Sequence, residues 1–394
     1  MVFRTTLIIG LLLMCVSWSS AQTTTATDSL DALSSLRQAA QKASSASTEN
    51  ESASEQNKSF VAKSRSLQAA NPEISLVGDA LATYSENGDY APGFTYRVLG
   101  LHLQSTLDPF SLAKAAIELT PEGAELAEAY LTWTNALPRT SLTLGKFRQQ
   151  FGIINRWHEH ALDQTFLPLP LQTYMGEEGL AGIGISGHVI LPSLIAQANE
   201  LTVQVTNSEN EMLYDGNASR LPSVLVHLNN YYDLNQNMYF EWGLSSVTGA
   251  NDSLGFTLRN SHRWTTLNGL DFTVSWNPSN RALYRNLSWR NELLHLSKTV
   301  PSGKTVHALG GYSYLNYQYN RSLIFGMRFD YVQDPDFTDN YQWQVVPYLT
   351  LIQSEFVYFR LELLSRHFST NAPVQNTVML QIDWAAGPHK HDKY

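Results

Sequence analysis

The chain has 394 residues, of which 43% are hydrophobic, 11% aromatic and 15% charged. A formal charge of −9 argues against a nucleic-acid binder, which is usually basic. The one cysteine, Cys15, sits in the first 21 residues, so the rest of the chain holds neither a disulfide framework nor a thiolate metal site.

The chain starts with the pattern of an export signal. Arg4 supplies a positive start, Leu7 to Val16 form a short apolar run, and Ser19-Ser20-Ala21 offer small residues for cleavage after Ala21. Residues 22–70 are rich in Ser, Ala, Thr, Gln and Glu, with a brief helical repeat at Leu30, Leu33 and Leu36. They read either as a disordered periplasmic arm or as a short coiled coil that helps to assemble a trimer. After the signal no run of 18 apolar residues occurs, so the pattern holds no membrane-spanning helix.

The body, residues 71–394, alternates. Phe325, Met327, Phe329 and Tyr331 share one parity, and Gly326, Arg328 and Asp330 the other. This is the period of a strand with one apolar and one polar face. The alternation predicts sixteen strands. The first five cover 73–84, 95–107, 110–120, 124–134 and 140–148. Four more cover 179–191, 199–207, 222–232 and 237–247. The last seven cover 266–277, 282–297, 304–318, 321–333, 340–353, 355–367 and 374–385. Short links such as Pro301-Ser302-Gly303 alternate with long ones at 149–177, 208–221 (with Asp215-Gly216-Asn217) and 248–265.

One face of these strands fits lipid. It includes Leu201, Val203 and Val205; Met238, Phe240, Trp242 and Leu244; Leu270, Phe272, Val274 and Trp276; and Val378, Leu380, Ile382 and Trp384. In hydrocarbon every backbone polar group must be paired, and strands achieve this only in a closed barrel. The predicted fold is therefore all-β: a transmembrane antiparallel β-barrel of about 16 strands, with a short N-terminal helical or disordered arm. The opposite face carries Lys114, Glu118, Glu128, Glu241, Asp271, Arg328, Asp330, Arg360, Glu362 and Arg366. Charges of both signs belong in water, so these are the candidates for the pore lining, either as an ion-paired wall or as selectivity determinants. Sixteen strands leave room for an aqueous channel.

The segment from Leu144 reads L-G-K-F-R-Q-Q-F-G-I-I-N-R-W-H-E-H, then P-L-P-L-Q-T-Y, then G-E-E-G-L-A-G-I-G-I-S. It resembles the phosphate-selective porin O and P-like group of outer-membrane proteins, and within it a branch of porins. Asn71-Pro72-Glu73-Ile74-Ser75-Leu76, the Asp108-Pro109-Phe110 turn and the tail Gly387-Pro388-His389-Lys390-His391 carry the same resemblance, over residues 71–394. It implies an outer-membrane barrel, with trimerisation as porins show it. Phosphate-selective members carry arginine ladders and a lysine ring. Here basic residues are outnumbered and the lumenal candidates mix signs, so phosphate is not carried over as the solute.

Within this segment the alternation of Leu142 and Leu144 breaks at Gly145-Lys146-Phe147-Arg148, suggesting a bulge that re-aims a side chain into the lumen. A connection near 30 residues predicts a loop folded into the pore. Lys146, Arg148, Asn155 and Arg156, opposed to Glu177 and Glu178, are the candidates for a constriction. They read either as a network fastening the loop to the wall or as an ion filter. His158 and His160 would share a strand face, a weak signal for Zn²⁺. Neither G-x-S-x-G nor H-E-x-x-H occurs, and no enzyme is expected.

The sequence thus predicts a porin passing small hydrophilic solutes or ions by diffusion. The alternatives are an occluded structural or adhesive barrel and a metal-ion uptake porin. No cofactor is expected. The expected partners are outer-membrane lipid, the solutes, further copies of the chain in a trimer, and the barrel-assembly machinery, which would read the last strand.

Overall fold

The computed structural model describes residues 72–87, 92–214, 221–252, 263–279 and 284–387. The signal, the arm, the Asp215-Gly216-Asn217 turn and the His389-x-His391 pair lie outside these residues.

Sixteen strands form one closed antiparallel barrel in which each pairs with its neighbours in the chain and β1 closes on β16. The first half comprises β1 Glu73–Glu86, β2 Gly93–Asp108, β3 Ser111–Thr120, β4 Gly123–Leu137, β5 Thr140–Arg148, β6 Ala181–Leu191, β7 Ala198–Thr206 and β8 Ser223–Asn235. The second half comprises β9 Met238–Ala250, β10 Trp264–Trp276, β11 Asn286–Thr299, β12 Thr305–Gln318, β13 Leu323–Gln333, β14 Tyr341–Ser354, β15 Val357–Phe368 and β16 Gln375–Ala386. The predicted boundaries hold to within a few residues, because period-two alternation marks where a strand can keep one face in lipid.

Register keeps the two faces separate around the wall. Phe329 lies between Ser313 and Val345, all outward, while Asp330 lies between Tyr312 and Gln344, all inward. At the closure, Asp79 pairs with Asp383 and Ala82 with Leu380. The outward face holds Leu244, Leu270, Phe325, Met327, Phe329, Leu363 and Leu380, all exposed. Such a surface is stable only against an apolar medium. The three longest connections, 149–180, 207–222 and 251–263, all leave from one end of the barrel.

The break at Gly145 is not a bulge. β5 and β6 stay in unbroken register from Thr140–Val189 to Arg148–Ala181. Gly145 has φ 134°, and a Cβ there would lie 2.1 Å from the Ala129 carbonyl oxygen. The glycine is needed for close approach to β4, and the apolar period ends because the strand reaches its rim.

Candidate functional site: the lumen and its loop

Residues 149–180 fold into the barrel and cross it. Loop residues Phe151, Ile154, Trp157, Leu162, Leu167, Leu169, Leu171, Tyr174, Met175 and Leu180 are buried in one cluster with wall residues. The wall contributes Leu225, Val247, Leu267, Leu294, Leu296, Tyr312, Tyr314 and Val332. The loop therefore has a hydrophobic core of its own, built against the inner face of β8–β13.

Local sequence explains its shape. A short helix, α1 (Leu169–Met175), follows Pro168 with Pro170 in its first turn and stops at Gly176, φ 87°. Proline at the start and glycine at the end are a helix's ordinary boundaries. Gly152, φ 55°, passes so close to Glu292 that a Cβ would lie 2.0 Å from its Oε1. Asn155, fully buried, closes the loop's neck. Its amide nitrogen donates to the carbonyls of Gln149 (2.8 Å) and Leu180 (3.0 Å), and its oxygen accepts from the Leu180 N–H (2.7 Å).

The charged wall residues hold this loop. Asp163 accepts from Arg290 (2.9 Å), Tyr314 (3.1 Å) and Asn316 (3.1 Å). Arg328 is paired to Asp330 at 3.0 Å and donates to the Phe166 carbonyl (2.9 Å), while the Leu169 N–H donates to Asp330 (3.2 Å). Arg360 donates to the Leu162 carbonyl (2.8 Å), and Glu362 accepts the Thr165 N–H (2.7 Å). Arg366 donates to Gln344 on the next strand (2.9 Å). All these side chains point inward, but the loop covers most of them. They are partners to backbone groups that would otherwise be buried unpaired.

On the opposite wall, His158 Nε2 lies 2.9 Å from Glu128 and its Nδ1 3.6 Å from Glu118. Lys114 also pairs with Glu128, at 2.9 Å. His158 and His160 do not share a strand face: His160 lies within a 3₁₀ turn, Glu159–Ala161, that His158 precedes. Their rings lie 5.5 Å apart, each 5.1 Å from the ring of His102. Among the described residues no group of three or more His, Cys, Asp or Glu is disposed to hold a metal ion.

The constriction predicted from sequence is arranged differently. Lys146 is in register with Ala129 and Ile183, on the parity of Leu142 and Leu144, and pairs with Glu125 at 3.0 Å. It lines neither of the two polar cavities beside the loop, and its ammonium is taken up by Glu125 near the rim. Arg148 donates to the carbonyl oxygens of Glu178 (2.7 Å) and Asn155 (3.4 Å), so the backbone of Glu178, not its carboxylate, is its partner. Glu177 and Glu178 stand exposed at the rim. Asn155 faces the loop's interior.

Among the described residues two polar cavities stand beside the loop, of about 190 Å³ and about 140 Å³, and Gln150 and Arg156 line both. The first is bounded by β3–β7 and includes Lys114, Glu128, Tyr130 and Arg148. The second includes His227, Tyr239, Glu241, Asp271 and Arg290. The acids facing Arg156 are thus wall residues, Glu200 of β7, Glu241 of β9 and Asp271 of β10, not the expected Glu177 and Glu178.

Solved structures share this architecture. An anion-selective porin from Comamonas acidovorans superposes with a TM-score of 0.56 at 10% identity, over 80% of this chain and 100% of that one. OprB of Pseudomonas putida gives 0.55 at 10% identity, over 82% and 96%. The outer-membrane channel DcaP of Acinetobacter baumannii gives 0.53 at 12%, over 80% and 97%.

The likeness is one of fold. No family model matches the chain. An uncharacterized protein of Aquifex aeolicus is 31% identical over 123 residues, which span 31% of this chain and 25% of that protein.

Sequence reasoning missed the apolar half of the site. Ten large apolar residues of 149–180 end up buried, a signal that lies beside the charges of that segment. Leu-Leu at 293–294, where both parities of a strand are apolar, is a second signal. Apolar residues on both faces are the mark of a strand buried on both faces.

Proposed function

We propose that the protein is an outer-membrane porin that lets small hydrophilic solutes or ions diffuse through a narrow water-filled passage between the loop and the β3–β11 wall. The observation that carries this reading is the pair of adjoining polar cavities at Gln150 and Arg156, inside a closed barrel whose outer face is apolar. The likeness to porins and channels supports it. Single-channel conductance of the refolded protein in a planar bilayer tests it: steady steps of modest size are expected, smaller than an unobstructed barrel of sixteen strands would give.

The apolar core of the loop favours a second reading, an occluded barrel that acts through its outer loops. A correctly folded barrel without conductance would put that reading in place of the first. The selectivity of the phosphate-selective group is not part of the proposal.

We further propose a homotrimer joined through β1–β4. The outward parity of β1, β3 and β4 carries Gly78, Ala80, Ala82, Ala113, Ala115 and Ala129, beside large residues nearer the strand ends such as Tyr84 and, on β2, Phe94, whereas β10–β15 carry Phe272, Trp289, Phe325, Phe329, Trp343 and Phe359. Small residues let two walls approach closely in lipid, and large aromatic ones suit lipid contact. Cross-linking through a cysteine placed at Ala115, compared with one at Phe329, distinguishes the two walls. Export with removal of residues 1–21, a periplasmic arm at 22–70, and recognition of β16 by the insertion machinery complete the proposal. N-terminal sequencing of the membrane form tests the first of these.

A further inference from the structure

Given an open passage as proposed above, we infer that it favours small zwitterions, solutes of amino-acid size with one carboxylate and one ammonium group, over neutral solutes of the same size.

Arg156 carries the argument. Arg148, Arg290, Arg328 and Arg360 each donate to an acceptor on the loop. The Nε of Arg156 is buried and makes no hydrogen bond, and the side chain forms no ion pair among the described residues. It lines both cavities and so stands between them.

The two cavities have opposite electrical character. In the larger, the carboxylate of Glu128 is already met by Lys114 at 2.9 Å and by His158 at 2.9 Å. The charges left without an ion pair among the described residues are Arg148 and Arg156. In the smaller, Arg290 is taken up by Asp163 at 2.9 Å. The charges left are the acids Glu241 and Asp271. Asp271 is 3% exposed, and its Oδ2 has no hydrogen-bond partner. Its cross-strand neighbour is Gly243, where a Cβ would lie 2.6 Å from that oxygen. The absent side chain gives the carboxylate its space. Glu241 is held in place by Asn229, which donates to its Oε1 at 2.8 Å.

A small anion is drawn to one chamber and repelled by the next, and a small cation meets the reverse. A zwitterion aligned along the passage presents its carboxylate to Arg148 and Arg156 and its ammonium to Glu241 and Asp271, replacing lost hydration at both ends. Chambers of about 190 and 140 Å³ have room for a solute of amino-acid size.

The test is osmotic swelling of liposomes containing the refolded full-length protein, with glycerol as the size reference. Alanine and its uncharged isomer lactamide are compared. Alanine is expected to enter several-fold faster than lactamide after subtraction of protein-free liposomes. Arg156→Gln and Asp271→Asn are each expected to abolish that advantage while glycerol entry persists. In a salt gradient they should shift the reversal potential in opposite directions, Arg156→Gln towards cations and Asp271→Asn towards anions. Equal entry of alanine and lactamide, with glycerol passing, overturns the zwitterion inference and leaves the pore reading standing. An unchanged ratio in both variants, with heat-modifiable mobility showing that they fold, also overturns it. If glycerol and salt both fail to pass, the pore reading falls and this inference falls with it.

Discussion

On β11, Leu293 points outward and is 57% exposed, while Leu294 points inward and is 2% exposed. Adjacent residues of the same type thus serve two apolar surfaces that arise in different ways. The outer surface is periodic: each strand repeats it, and a uniform medium satisfies it. The inner surface is local to β8–β13 and is satisfied by one particular partner, the 149–180 loop. The outer surface tolerates exchange among apolar residues. The inner one depends on close packing, where a lost methylene leaves a cavity.

The comparison is broken most directly by removing the loop. Replacing residues 153–175 with a short Gly-Ser link should leave the barrel inserted and heat-modifiable, because strand pairing is complete without the loop. Conductance should rise several-fold. A barrel that no longer assembled would show that the inner surface is needed for folding as well.

Asp163→Ala should come next in size. It strips Arg290, Tyr314 and Asn316 of a shared buried acceptor, and breaking a buried pair from one side costs about 3–5 kcal/mol. Faster hydrogen exchange of 160–170 with unchanged exchange in β14–β16 is the expected signature. On the outer surface, Leu380→Arg should cost about 2–4 kcal/mol of barrel stability, less nearer the membrane edge. Urea titration in lipid reads it, and the loop's exchange should not move. Asn155→Leu removes three hydrogen bonds at the loop's neck, each with a net worth of about 1 kcal/mol, and should loosen the loop without altering insertion.

Glu159→Gln should have the smallest effect. Its carboxylate pairs with Arg97 at 2.9 Å, but burial raises its pKa above the ordinary value, more than Arg97 lowers it. A raised value means that the docked loop binds this proton more readily than an undocked one. Its contribution to docking is therefore present at low pH and is lost as pH rises through the raised pKa. The Gln variant should lose that part of the pH dependence of loop exchange; an unchanged profile would remove Glu159 as its source.

The barrel was legible because alternation along Met238–Leu244, Leu270–Trp276 and Val378–Trp384 needs no partner to be interpreted: any lipid-facing strand obeys it. The inward orientation of Glu128, Asp271 and Arg328 followed from parity alone. Their partners did not. Asp330 and Glu362 accept backbone N–H groups of Leu169 and Thr165, more than 150 residues away in the chain, and no local pattern announces such pairs. The partner of Lys146 was equally silent: it is Glu125 on the neighbouring strand and not Glu177 or Glu178. The helix at Leu169–Met175 had its signal, prolines at its start and glycine at its end, within a stretch read for its charges.

The sequence by itself determined the strands, their two faces and the closed barrel, because period and lipid exposure are properties of one strand at a time. Only the tertiary structure decided what fills that barrel. The course of the loop is set by packing Phe151, Trp157 and Tyr174 against leucines of distant strands, and the passage is the space which that packing leaves around Arg156.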